Sequence, residues 1–238
     1  VPALAVTGPG SVVVTPYGAV YRTADDGKSW RRLRSTIQKG LEYEFLAAGG
    51  AEKPLAIAGA DDSRLVRSSD GGETWSDPPR SAPLSCVAPD PQNPRAFYLC
   101  VQGGGVLWGG DGSSWRPVTS NSEVTFKALA VDPQNPKNMF AGTHESLKRS
   151  VDGGKKWKEW KQFEKVKGGV VRPADKRSIF AISFDAKNPK TVYVATQEDG
   201  ILKSADGGET WSLAGLTGEK LTAFAVDPAD SPRRLVGT

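Results

Sequence analysis

An eight-residue phrase, SADGGETW at residues 204–211, stands almost unchanged at residues 68–75 as SSDGGETW. Looser copies read TADDGKSW at 23–30, SVDGGKKW at 150–157 and, further decayed, WGGDGSSW at 108–115. The closing tryptophans, Trp30, Trp75, Trp115, Trp157 and Trp211, are separated by 45, 40, 42 and 54 residues. A phrase returning at that period makes the chain an array of like units that lean on their neighbours.

A second motif runs in phase with the first. It reads APDPQNP at 88–94, VDPQNP at 131–136, FDAKNP at 184–189 and VDPADSP at 226–232, each between two β-rich segments. Each octet in turn follows a short apolar strand such as RLVR, SLKR or ILKS. One unit therefore reads as four strands, a to d, with the Asp-Pro-x-Asn-Pro turn joining a to b and the octet joining c to d. Four strands per 40 to 45 residues is the pattern of a β-propeller blade. The 27 glycines and 17 prolines supply the turns such a chain needs.

The expected fold is an all-β propeller of four-stranded antiparallel blades, six-bladed with an irregular or truncated last blade. A fragment of a seven-bladed propeller is the alternative. The blades fall at about 1–36, 42–79, 83–119, 125–163 and 178–214, with a partial one at 220–238, in a single domain spanning 1–238. Val1 is preceded by no signal-like segment, which reads as a mature or trimmed chain. No apolar run approaches the ~18 residues a membrane helix needs.

Octet chemistry suits a turn. Glycine takes positive φ freely, short Ser and Asp side chains accept from nearby backbone N–H groups, and the tryptophan offers a large apolar area to pack between sheets. Repeated aspartates on separate blades lie too far apart to share a metal, so neither a metal nor a cofactor is expected.

The pattern S-x-D-x-G-x-T-W at this spacing resembles the BNR or Asp-box repeat. That repeat is shared by sialidases, xyloglucanases, the sortilin ectodomain and the photosystem II assembly factor. The resemblance covers nearly the whole chain and implies a propeller, while its members include both enzymes and binding proteins. It also implies an extracytoplasmic location, periplasmic or secreted. Sialidases carry an Arg-Ile-Pro element and three arginines for the sugar carboxylate. No Arg-Ile-Pro occurs here, and VVRPADKR at 170–177 is a distant echo. Xyloglucanases use two propellers with a cleft between them, whereas 238 residues supply one.

Alternating strand direction puts both repeated motifs on one rim and the b–c turns on the other. That second rim varies most, so a site is expected there. Its turns hold Tyr17, Asp61, Asp62, Gln102, His144, Glu145, Gln197, Glu198 and Asp199. A glycosidase needs two opposed carboxylates, and Asp61, Glu145, Glu198 and Asp199 are the weak candidates. His144 is the lone histidine, with no Ser or Cys motif near it in sequence.

The 54-residue interval hides a long connection after Trp157, KEWKQFEKVKGGVVRPADKRS, bearing Lys158, Trp160, Lys161, Phe163, Lys165, Lys167, Arg172, Lys176 and Arg177. A basic loop with aromatics fits an acidic glycan or protein partner. Net charge is only +4 and no stacking platform repeats, so nucleic acid is not expected. The preferred reading is a non-enzymatic binding or assembly module; the alternative is a glycan-active hydrolase. Oligomeric state is open.

Cys86 and Cys100 are the only cysteines, centred on the a–b turn of the third unit. They align with Ala128 and Gly142, Ala181 and Ala195, and Ala223 and Gly237, so they face each other across a hairpin. They read either as two more small core residues or as a cross-strand disulfide in an oxidising compartment.

Overall fold

The computed structural model describes residues 3–6, 11–14, 19–23, 25, 28–34, 36–37, 43–49, 55–60, 65–76, 83–110, 114–119, 124–161, 166–167, 178–197, 199–216, 219, 221, 223–226 and 234–237. These form six sheets in chain order. Blade 1 comprises β1 (Ala3–Val6), β2 (Ser11–Val14), β3 (Val20–Thr23) and β4 (Arg31–Arg32). Blade 2 has β5 (Tyr43–Gly49), β6 (Leu55–Ala60) and β7 (Leu65–Ser68), and a bridge from Arg67 to Ser76 marks its outer strand position. Blade 3 holds β8 (Leu84–Asp90), β9 (Asn93–Val101), β10 (Val106–Gly110) and β11 (Arg116–Pro117). Blade 4 holds β12 (Ala128–Val131), β13 (Met139–Gly142), β14 (Leu147–Ser150) and β15 (Lys158–Glu159).

Blade 5 departs from the rule. Besides β17 (Ile179–Phe184), β18 (Val192–Thr196), β19 (Ile201–Ser204) and β20 (Trp211–Gly215), it takes up β16 (Val166–Lys167) from the long connection. That segment pairs in parallel with β20, Val166 opposite Trp211, and makes a fifth strand at the outer edge. Blade 6 shows β21 (Ala223–Val226) and β22 (Arg234–Gly237) among the described residues. The inner strands β1, β5, β8, β12, β17 and β21 lie side by side in that order, and β21 lies against β1. The chain is thus an all-β propeller, as its repeat requires.

The apolar interior is divided among the seams between blades. One cluster joins Phe140 and Leu147 of blade 4 to Ile179, Val194 and Trp211 of blade 5. Another joins Cys100 and Val106 of blade 3 to Met139 and Ala141 of blade 4. Each fully buried large side chain contributes about 1.5–3 kcal/mol, so a blade is held chiefly by its neighbours. Trp211 is 1% exposed, while Trp30 keeps 40% of its surface in solvent, so the expectation of a packed tryptophan fails at blade 1.

Small inner residues have a packing reason. The registers Ala128–Gly142, Ala181–Ala195 and Ala223–Gly237 are those expected. A Cβ on Gly142 would come within 2.3 Å of Ile179 Cγ2, because β13 passes close to the next blade.

Cys86 and Cys100 are paired across β8 and β9 and joined by a disulfide with Cα atoms 4.9 Å apart. Both are buried in the seam between blades 3 and 4. A bridge closing a loop of this length removes denatured-state freedom worth about 2–3 kcal/mol. Reduction under mild denaturant, or the Cys86→Ala/Cys100→Ala variant, should therefore lower the urea midpoint without changing the far-ultraviolet circular dichroism. An unchanged midpoint would show that the hairpin holds without the bridge.

Candidate functional site

The octets build one rim, and their hydrogen bonds repeat. In blade 5, Ser204 Oγ donates to Asp206 Oδ1 (2.7 Å) and accepts from Gly208 N (2.8 Å). Asp206 accepts from Thr210 N (2.9 Å) and Thr210 Oγ1 (2.5 Å). Ser68, Asp70 and Thr74 repeat this in blade 2, and Ser150 and Asp152 repeat most of it in blade 4. Asp25, Asp70, Asp152 and Asp206 are thus occupied in holding their own turns.

That occupation shows in their acidity. The Ser29 hydroxyl, with the Ser29 N–H and the Thr23 hydroxyl, brings Asp25 down to about 2. The Thr210 hydroxyl and N–H bring Asp206 down to about 2. At Asp70 burial alone would raise the value, but the Thr74 and Ser68 bonds outweigh it. Asp152 is lowered first by the Lys156 N–H. A carboxylate depressed on folding stabilises the native state above its ordinary value near 3.9, and that stabilisation disappears as pH falls through the folded value. The melting temperature should therefore fall between about pH 4 and pH 2. In Asp206→Asn the fall over that window should be shallower; an identical slope would mean the octet carboxylates do not govern acid stability.

The opposite rim carries the b–c turns, and in blades 4 and 5 both are pinned by threonine. Thr143 Oγ1 accepts from Glu145 N (3.1 Å) and Ser146 N (2.8 Å). Thr196 Oγ1 accepts from Asp199 N (3.0 Å) and donates to Gly200 O (3.0 Å). The two turns are tied through β17, since Ile179 N donates to Thr143 O (3.0 Å) and Gln197 N to Ser178 O (3.0 Å). On this framework His144, Glu145 and Gln197 are exposed and Asp199 is half-buried. His144 Nδ1 lies 3.2 Å from Ser178 Oγ, a partner 34 residues away that local sequence did not reveal.

Trp160 and Lys161 separate from the rest of the basic connection. The Trp160 indole donates to Gly208 O of blade 5 (2.6 Å), and the Arg149 guanidinium lies 4.5 Å from its ring centre. Trp160 thereby closes the seam between blades 4 and 5. Lys161 is exposed. Lys167 sits in β16 on the outer edge of blade 5, displaced from the b–c rim. Tyr17, Asp61, Asp62, Lys165, Arg172, Lys176, Arg177 and Glu198 lie outside the described residues.

Arg149 was missed as a functional group of the fold. Its Nε donates to Asn138 Oδ1 (2.9 Å) and its Nη1 meets Glu209 Oε1 of the next blade (3.3 Å). The available signal is its place just before the octet serine, which Arg22 and Arg67 also occupy. Among the described residues no three His, Cys, Asp or Glu side chains converge to hold a metal. No helix among them is long and apolar enough to cross a membrane.

Comparison with known proteins returns propellers. No protein-family model matches the chain. It is 21% identical over 199 residues to the photosystem II assembly protein Ycf48 of Synechococcus sp. (strain JA-2-3B'a(2-13)), covering 81% of this chain and 55% of that protein. It is 27% identical over 202 residues to xyloglucanase Xgh74A of Acetivibrio thermocellus, covering 67% of this chain and 24% of that enzyme. The chain thus spans about half of one relative and about a quarter of the other. A solved structure of YCF48 bound to D1 peptide superposes with a TM-score of 0.61 at 13% identity, over 95% of this chain and 72% of that one.

Proposed function

We propose that the protein is a non-enzymatic binding or assembly module that presents its rim of b–c turns to a protein partner. The observation that carries this reading is the contrast within that rim. Backbones of the blade 4 and blade 5 turns are held by Thr143 and Thr196, while the side chains of His144, Glu145 and Gln197 are exposed. A rigid platform with exposed polar side chains binds with little ordering cost. The relative solved with a D1 peptide supports a polypeptide as partner. The exposed Lys161 adds a positive charge suited to acidic groups of a partner. The Cys86–Cys100 bridge fits an oxidising, extracytoplasmic compartment.

Similarity to the xyloglucanase supports a second reading, a glycan-active hydrolase using rim carboxylates such as Glu145 and Asp199. Two measurements separate them. Immobilised protein should capture a partner that the His144→Ala/Glu145→Ala/Gln197→Ala variant fails to capture, with both proteins equally folded by circular dichroism. No new reducing ends should appear from xyloglucan or sialylated glycans. Reducing ends that vanish in Glu145→Ala/Asp199→Ala would overturn the binding reading in favour of the hydrolase.

A further inference from the structure

The blade 4 octet breaks its repeat twice. Blades 2 and 5 carry Glu and Thr before the closing tryptophan, whereas blade 4 carries Lys155 and Lys156. Both acidic-octet residues have a job. Thr74 and Thr210 each donate a hydroxyl to the turn aspartate (2.5 Å). Glu73 meets Arg31 of the preceding blade (3.2 Å), and Glu209 meets Arg149 (3.3 Å). Lys156 supplies Asp152 with its backbone N–H (3.0 Å) and a nearby positive charge in place of a hydroxyl. Blade 1 keeps a hydroxyl at the same place in Ser29 but carries Lys28 where blades 2 and 5 carry glutamate, so two adjacent lysines are peculiar to blade 4 among the octets.

Lys155 holds the octet place of Glu73, and the repeat sets a second cation, Arg116, on the blade before it. The blade 4 octet packs on the end of blade 3: Thr119 Oγ1 donates to Gly154 O, Trp157 Nε1 donates to Thr119 Oγ1 (3.2 Å), and a Cβ on Gly154 would touch Val118 at 3.3 Å. Arg116, just after Trp115, holds the place that Arg31 holds after Trp30. Where blades 1 and 2 place Arg31 and Glu73, blades 3 and 4 carry Arg116 and Lys155 at the equivalent repeat positions. The Arg116 guanidinium is held 4.2 Å over the Trp108 ring. Lys137 is exposed beside the octet, its carbonyl accepting from Gly153 N (3.0 Å), and Lys158 is exposed at the start of β15. Of the carboxylates nearby, Asp90 is buried and accepts from Trp108 Nε1 (2.8 Å), Asp152 is bonded into its own turn and Glu159 is exposed on β15.

The seam between blades 3 and 4 thus carries Arg116, Lys155 and Lys156, where the octets of blades 2 and 5 pair a glutamate with an arginine of the preceding blade, a charge balance that suits an acidic ligand. We propose that the seam between blades 3 and 4 docks a short acidic peptide segment, its carboxylates held by Arg116, Lys155 and Lys156. The site lies by the octet rim, opposite the b–c turns, and goes beyond the binding reading without resting on it. A stacked guanidinium presents a fixed fork suited to a carboxylate, and Lys137 and Lys158 add attraction at either side. The segment is short because the same rim carries exposed Asp206 and Glu209 on blade 5. A long polyanion following the rim would meet those charges.

The test is anisotropy of a fluorescein-labelled hexaglutamate peptide titrated with the full chain at low salt. Wild type should bind saturably and lose affinity as salt rises. Lys155→Glu/Lys156→Thr restores the repeat, so it should keep or raise the melting temperature while weakening binding about tenfold. Arg116→Gln should weaken it as well. No peptide binding by wild type, or unchanged binding by the double variant, overturns the proposal. Binding lost instead in Lys161→Glu/Lys167→Glu would assign the peptide to the basic connection. Equal, variant-sensitive binding of heparin would overturn the peptide assignment in favour of a general polyanion site. The partner capture by the b–c rim is read independently, so failure here leaves that reading to its own experiment.

Discussion

Gly208→Ala is expected to destabilise the protein by about 4 kcal/mol, lowering its melting temperature by roughly 8–16 °C. Gly208 stands at φ +95°, where a Cβ is strained in any surroundings, and that Cβ would lie 2.6 Å from Phe140 Cζ of the preceding blade. The ring cannot retreat, because Phe140 is fully buried and packs against Trp160, Phe184 and Trp211. Moving the glycine instead disturbs a carbonyl that accepts from both Trp160 Nε1 (2.6 Å) and Trp211 Nε1 (2.9 Å). Its neighbour provides the control. Gly207 has φ +76°, but nothing lies within 4 Å of its Cβ position, so Gly207→Ala should cost about 1 kcal/mol. Equal losses for the two variants in urea denaturation would refute the inter-blade contact as the cause.

Trp211→Ala should cost a similar amount, about 4 kcal/mol, by a different route. Among the described residues Trp211 is the largest fully buried side chain, and it fills the seam between blades 4 and 5 beside Phe140, Val192 and Leu202. Removing the indole leaves a cavity there and withdraws one of the two donors from Gly208 O. Trp211→Phe should recover most of the apolar area and lose mainly the hydrogen bond, a difference of about 1 kcal/mol from wild type. Chemical denaturation with a native-like far-ultraviolet spectrum at zero denaturant is the readout. A loss below about 1 kcal/mol for Trp211→Ala would mean that the blades are not held by this seam. Because the indole bonds to Gly208 O, Gly208→Ala and Trp211→Ala share a contact, and their losses should sum to less than additivity predicts.

These two residues show how legibility divides along the chain. The turn formed by Ser204, Asp206, Gly208 and Thr210 closes through bonds spanning two to four residues. Such bonds need only the local order of side chains, so the octet announced its own hairpin and, by repetition, the propeller. The a–b register was legible for the same reason, since a turn of known length sets which residues oppose each other. Trp160 was read as an aromatic free for a ligand, yet its donor bond reaches a carbonyl 48 residues on. Arg149 reaches Glu209 across 60 residues. No spacing rule links residues so far apart, because their meeting depends on how one blade tilts onto the next.

The candidate site divides in the same way. The b–c turns could be placed on one rim from strand alternation, and His144 and Glu145 are exposed there. Ser178 beside His144 could not be foreseen, since β17 had to be laid against the blade 4 turn first. Nor did the basic connection disclose that residues 166–167 pair with β20, because two residues carry no periodicity. The choice between a small-residue pair and a disulfide for Cys86 and Cys100 also waited on the backbone, which brings their Cα atoms to 4.9 Å. Sequence alone determined what short-range chemistry can specify: repeat, strand order, turn type and which rim varies. Tertiary structure decided which side chains close the seams and which stay exposed, since packing joins residues whose separation in the chain encodes nothing about their distance in space.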